Sequence, residues 1–334
     1  MKTRRRILAL IVVAVAVAAG PALHAYLKLG YTLNGRLVGL EWTTAVPYRV
    51  TNRDITGVTA AQLQGTVAAS FAEWARPANV QIGSQFLGFT SIDPAIKDGQ
   101  TVIGFRSRPD LDRTLGETSF EFDAVTGQFI GADIFLNSFF DWSVAANGDS
   151  SRFDVQSIMT HEIGHLLGLG HSALGETEPR SGGGRTVLGK RAVMFPIAYP
   201  RGSVRDRTLQ ADDAAGITDI YGTTQAGRDL GAIAGKVTLN GSGVFGAHVT
   251  AFNMSTGELV AGFTLNNAGD FVIASLAPGV YIVRVEPLDD ADIDGFFDDD
   301  TPLNLNFRAA YYTKQVAVPK GGTSGSIEIK VKAK

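Results

Sequence analysis

The sequence predicts an α+β domain followed by an all-β sandwich. Three observations carry that reading. At 334 residues the chain can bury more than one core. Before residue 222, apolar residues recur at helical spacing, as in Leu63, Val67, Phe71 and Trp74, and again in Val155, Ile158, Met159, Ile163, Leu166 and Leu167. Beyond it the period changes to alternation in seven short runs, 233–239, 248–252, 259–264, 271–276, 281–285, 311–318 and 326–331, with glycine and asparagine between them. The resulting order is a leader over 1–25, a first domain over 26–224, a linker over 225–229 and the sandwich over 230–334.

The leader comes first. Lys2, Arg4, Arg5 and Arg6 precede an apolar run over 7–19, and small residues follow between Ala22 and Ala25. This is the pattern of a secretory signal, with an uncleaved membrane anchor as the alternative. It implies a secreted, extracellular or periplasmic protein. There is no cysteine, so packing and metals must supply the stability that disulfides often give exported chains. The net charge of −3 has no basic stripe, which argues against nucleic acid as a partner.

Two helix starts are legible in the first domain. Thr59 with Gln62 forms a capping box ahead of the Leu63 face, and Ser151 with Asp154 resembles the start of a second helix. That second helix leads into His161-Glu162-Ile163-Gly164-His165-Leu166-Leu167-Gly168-Leu169-Gly170-His171. The stretch holds three of the chain's five histidines. It reads H-E-x-x-H-x-x-G-x-x-H, the long zinc-protease signature. Residues four apart share a helix face, so His161 and His165 can point at one ion. Gly168 and Gly170 interrupt the helix, and a break near Gly168 would swing His171 back to the same ion. Three imidazoles leave a fourth position open on zinc, as in catalytic sites. Glu162, beside the first ligand, is placed to act as general base, taking a proton from the attacking water and later passing it to the leaving amine.

With these residues the chain resembles the metzincins, and Ser172 directly after the third histidine is similar to the matrixins, the matrix-metalloproteinase family. Ala192-Val193-Met194-Phe195-Pro196 resembles the matrixin Met-turn, which implies that Met194 supports the zinc site from below. The stretch 209–222, with Asp212 and Asp213, is similar to the closing helix of that family, where two aspartates buttress the Met-turn and the amino-terminal region. A plain capping pair is the other reading of the two aspartates. Upstream, 42–50 and 98–105 resemble strands of the matrixin sheet, and 127–137, centred on 132–137, resembles its substrate-holding edge strand. The implied fold is a twisted, mostly parallel sheet with helices. The chain departs from animal matrixins in three ways. Without cysteine there is no cysteine switch. Only His24 and His248 lie outside the motif, so one catalytic zinc is implied and no structural zinc. Twenty-two residues separate His171 from Met194, including Ser181-Gly182-Gly183-Gly184-Arg185, which reads as a mobile loop near the specificity pocket or as a neutral surface insertion.

In the second domain, Gly246-Ala247-His248-Val249, the turn over 264–271 and the stretch Leu276-Ala277-Pro278-Gly279-Val280-Tyr281 resemble carboxypeptidase-regulatory-like (transthyretin-like) domains. His248 reads as an ordinary sandwich residue. Asp292, Asp294, Asp298 and Asp300 belong to an acidic loop whose spacing suits either a Ca2+ site or a solvated surface.

The sequence therefore points to a secreted zinc endopeptidase, expected to act on polypeptide substrate as a monomer. Two other readings stand beside it. One is a surface-binding module whose C-terminal domain contacts a cell surface or carbohydrate while the metal domain serves as scaffold. The other is a membrane-tethered form of the same protease.

Overall fold

A computed structural model describes residues 27–34, 36–94, 97–181, 185–288, 296–297 and 303–334. The leader at 1–25 and the acidic positions Asp292, Asp294, Asp298 and Asp300 lie outside the described residues. Among the described residues no helix is long and apolar enough to cross a membrane.

The first half is built on a five-stranded sheet in the order Ser84–Thr90, Val46–Thr51, Val102–Arg106, Phe129–Asn137, Gly116–Phe122. Every pairing is parallel except the last, where Gly116–Phe122 runs antiparallel to Phe129–Asn137. The expectation for 127–137 is thereby corrected: it is an inner strand, and the edge is Gly116–Phe122. The burial patterns show why. From Gly131 to Asn137 every residue is buried, as in a strand covered on both faces. Along Gly116–Phe122 only Thr118, Phe120 and Phe122 are buried, the alternation of a strand with one face outward.

Helix α1 (Ala60–Trp74) starts with the Thr59–Gln62 capping box and buries Leu63, Val67, Phe71 and Trp74. Helix α2 (Val155–Leu166) packs against α1 and against the strands Gly116–Phe122 and Phe129–Asn137. Its cap is Asp154 rather than Ser151: Ser157 N–H donates to Asp154 Oδ2 at 2.8 Å, and the same carboxylate takes the Arg207 guanidinium. Trp74 Nε1–H donates to Thr160 O at 2.7 Å and Trp42 Nε1–H to Leu166 O at 2.9 Å, which lock the helix into the core.

Between His171 and the stretch 192–196 the chain forms an antiparallel hairpin, Gly175–Pro179 with Arg185–Lys190, where a mobile loop was one expectation. Residues 182–184, between the two strands in sequence, lie outside the described residues. The hairpin closes at its base, where Arg191 N–H donates to Leu174 O at 2.8 Å and Ser172 N–H to Met194 O at 2.9 Å. Its return strand is anchored by the buried pair Lys190–Asp206, 2.7 Å long.

Helix α3 (Ala211–Tyr221) closes the first half, and the expected linker is a short helix, α4 (Thr224–Asp229), capped by Thr223. Two sheets follow. One joins Gly231–Leu239, Ser242–Gly243, Asp270–Leu276 and Ile327–Val331. The other joins Leu259–Phe263, His248–Asn253 and Gly279–Glu286, with Ala310–Tyr311 and Val316–Val318 along the last. The two share one core: Ile233, Val237, Phe271 and Ile273 from the first meet Val249, Ala251, Val283 and Val285 from the second. Ala215 of α3 belongs to that core as well, so the two halves are packed against each other.

Candidate metal centre

Helix α2 presents His161 and His165 one turn apart, and their Nε2 atoms stand 3.1 Å from each other. Behind the rings, His161 Nδ1–H donates to Val193 O at 2.8 Å, and His165 Nδ1–H donates to Leu169 O at 2.8 Å. A carbonyl only accepts, so each ring carries its proton on Nδ1 and turns the Nε2 lone pair toward a common point. Past His165 the helix stops in a tight reversal. Gly168 takes φ +96°, its N–H donates to His165 O at 2.9 Å, and Leu169 N–H donates to Gly164 O at 3.0 Å. A residue with a Cβ would be strained at that φ. The reversal brings His171 Nε2 to 3.2 Å from His165 Nε2.

The three imidazoles fit one zinc ion. Nitrogen ligands on a tetrahedral zinc, with bonds of about 2.0–2.1 Å, stand roughly 3.3 Å apart. Lone pairs facing one another at 3.1 and 3.2 Å repel unless a cation lies between them. His161 and His165 are also neutral, as metal ligands must be. Burial, then the neighbouring imidazoles, holds His161 well below the ordinary histidine range and His165 down at about 3. Among the described residues this is the cluster of three or more ligand-type side chains able to hold a metal.

Glu162 follows His161 on α2 and is 5 % exposed. Burial pushes its carboxyl up to about 7, opposed by a hydrogen bond from Thr118. Thr118 Oγ1–H donates to Glu162 Oε2 at 2.7 Å from the edge strand. On the same strand, a Cβ at Gly116 would stand 2.8 Å from Glu162 Oε1, so glycine is what lets the carboxylate lie against the backbone. Neither Gly116 nor Thr118 carried a sequence signal.

Met194 lies on the opposite side of α2, 3 % exposed. A Cβ on Gly164 would meet Met194 Sδ at 2.2 Å and Trp74 Cζ2 at 2.7 Å, so the glycine between the two helical histidines makes room for the methionine. Asp213 fixes the turn. It accepts from Val193 N–H at 2.8 Å and Met194 N–H at 3.0 Å, and also from Gln210 N–H at 2.9 Å, which caps α3. One aspartate thus does both jobs left open by the sequence. Asp212 faces the other way and accepts from Ser172 Oγ–H at 2.5 Å and from Ala261 N–H at 2.8 Å. Burial raises Asp212 to about 7 and Asp213 to about 6.

The structure thus brings together His161, His165, His171, Glu162 and Met194, of which only Met194 is distant in sequence. The four aspartates of the acidic loop, candidates for calcium, are outside the described set. His248 is buried in the second half, its Nδ1 3.3 Å from Glu286 Oε1, far in sequence from the trio and not among the clustered ligands.

Comparison with known proteins points to one family over part of the chain. Residues 41–178 match the family model described as Matrixin. The match ends inside the hairpin, before Met194. Metalloendoproteinase 1 of Glycine max is 41% identical over 73 residues, covering 22% of this chain and 18% of that protein. Metalloendoproteinase 5-MMP of Arabidopsis thaliana is 33% identical over 150 residues, covering 41% and 35%. Matrilysin of Rattus norvegicus is 33% identical over 96 residues, covering 29% of each. The chain spans about a third or less of the length of these relatives. Over residues 41–178, and with three histidines placed where they could hold a metal ion, the chain carries a matrixin-like domain.

Proposed function

We propose that the protein is a secreted zinc-dependent endopeptidase that cuts extended polypeptide. The observation that carries this reading is the convergence of three imidazoles on one point, with the buried carboxyl of Glu162 next in sequence to the first of them. His161, His165 and His171 would hold the ion. When bound, zinc supplies a Lewis acid that polarises a peptide carbonyl and acidifies water. The remaining steps belong to the chain's own side chains. Glu162 takes a proton from the attacking water at the oxygen not engaged by Thr118, and later hands it to the leaving amine nitrogen. A carboxyl held near neutrality suits both directions of transfer. The outer side of Gly116–Phe122 has no strand partner among the described residues, which favours substrate binding as an added antiparallel strand. Export rests on the basic and apolar pattern of residues 2–19.

The test is zinc content and casein hydrolysis for the wild type and for Glu162→Ala. The expected result is one zinc in both proteins and a loss of roughly 10²–10⁴-fold in rate for the variant. A zinc-loaded wild type that cleaves nothing across a broad panel of unfolded proteins would overturn the reading. The amino-terminal residue of the mature protein, read by sequencing, separates a secreted form from a membrane-tethered one.

A further inference from the structure

His171 differs from the other two histidines in the backbone that carries it. His161 and His165 stand on a capped helix, and each ring is fixed by a carbonyl behind it. His171 comes after the helix has ended, in a stretch with no helix or strand of its own. Ser172, the next residue, is fixed through its side chain by Asp212, and Asp212 is fixed in turn by Ala261 N–H. Ala261 lies on Leu259–Phe263, the strand at one edge of its sheet in the C-terminal half. Its N–H therefore points away from its own sheet and across the boundary between the halves. The next two positions follow the same pattern. Ala173 packs on the cluster of Phe263, Leu288, Phe296 and Phe297, and Leu174 packs with Ala192 on Ala261. The ring of His171 itself meets Phe296 edge-on, with centroids 6.2 Å apart and planes at 73°. A cavity at this boundary is lined by His171, Ser172, Met194, Asp212, Ala261 and Phe263, groups from both halves.

From these contacts we infer that the C-terminal half is the back wall of the metal centre: Asp212 and Phe296 are positioning residues that hold His171 at the ion. The inference rests on the zinc reading above. It changes what the C-terminal half is for. A surface-binding module would be expected to hang from the first half by a linker; this one receives a buried carboxylate, 2 % exposed, whose two oxygens bond one partner from each half. Leaving such a buried carboxyl with one oxygen unpaired is costly, so the contact acts as a latch and not as an incidental touch. The ring of Phe296, packed in a T-shaped arrangement with the imidazole of His171, restricts the swing of that imidazole.

The test uses the full-length protein loaded with Co2+ in place of zinc, because cobalt reports its ligand geometry in visible absorption. Cobalt affinity is measured by competition with a chromophoric chelator, and thermal melting confirms that each variant is folded. Asp212→Ala and Phe296→Ala are expected to weaken cobalt binding roughly 10–100-fold, the usual range for residues behind a ligand, and to alter the absorption bands. Asp212→Asn is expected to stay within a few-fold of wild type. Its amide oxygen can accept from Ala261 N–H, and its NH2 can donate to the Ser172 hydroxyl. Should Asp212→Ala fail to fold, Phe296→Ala, which removes no hydrogen bond, decides between the outcomes. Folded variants with wild-type affinity and spectrum would overturn the inference. His171→Ala is the control for the reading beneath it: if cobalt binds that variant as tightly as wild type, the zinc assignment fails and this inference fails with it.

Discussion

At the scale of single residues, the chemistry of the site depends on groups that the motif does not contain. Thr118 donates a hydrogen bond to one carboxylate oxygen of Glu162 and so, in the proposed mechanism, leaves the other for proton transfer. Thr118→Val keeps the shape and removes the donor. A hydrogen bond to a charged group is worth about 1.5–3 kcal/mol, so kcat for peptide hydrolysis should fall roughly 10- to 100-fold with KM little changed, and Thr118→Ser should restore it. Equal kcat for the valine and wild-type proteins would remove Thr118 from the mechanism. The metal trio and Glu162 were legible because their spacing follows from helix geometry and one glycine reversal. Thr118 and Gly116 were not, because they reach Glu162 from a strand more than forty positions upstream, and such a distance leaves no periodic trace. Phe296 was hidden for the same reason, lying 125 positions past the ring it meets.

At the scale of elements, two features decide how the centre is supported. Gly164 sits in the last turn of α2, still within the helix, where alanine would ordinarily raise helix stability by up to about 1 kcal/mol. Here a Cβ would collide with Met194 and Trp74. Overpacking in a rigid core costs about 1–3 kcal/mol, so Gly164→Ala should lower the melting temperature despite its better propensity. A rise in melting temperature would show that Met194 gives way easily. The hairpin between His171 and Met194 depends on Lys190, whose ammonium pairs with Asp206, lies 5.3 Å from the Tyr199 ring and is 3 % exposed. Removing one partner of a buried pair typically costs about 3–5 kcal/mol, and Lys190→Ala should show that loss in urea unfolding. The hairpin was hard to read from sequence because its glycine-rich tip looks the same in a flexible loop and in a turn. The edge strand was misplaced for a different reason. The run 132–137 is more apolar and drew the attention, yet unbroken burial marks an inner strand, and the quieter alternation of Gly116–Phe122 marks the rim.

At the scale of the whole molecule, the two halves meet at the buried carboxyl of Asp212, with buried Asp213 next to it in sequence, and these two groups make stability depend on pH. Asp212 is raised to about 7 and Asp213 to about 6 from an ordinary 3.8, in both cases chiefly by burial. The folded protein therefore holds these protons more tightly than the unfolded chain does. Their contribution is complete below the unfolded value and is lost as pH rises through about 6 to 7. Urea midpoints should fall between about pH 5.5 and 8, a window set by those values. Asp212→Asn should flatten part of that slope, and an unchanged slope would mean that Asp212 is ionised in the folded state. The division into two halves could be read from the change of period after residue 222. Their mutual packing could not, since Ala215, Ala261 and Ala192 are unremarkable until the fold sets them together. The hairpin holds one more consequence. Its two ends are tied to each other at Leu174 and Arg191, so the chain leaves the metal centre and returns to the same spot. The entropic cost of closing a loop grows only slowly with length, by about 0.6 kcal/mol per doubling. The excursion therefore behaves as a socket: other segments can be spliced in there, by gene duplication or by a protein engineer, to give the cleft a new rim while the histidines stay where they are.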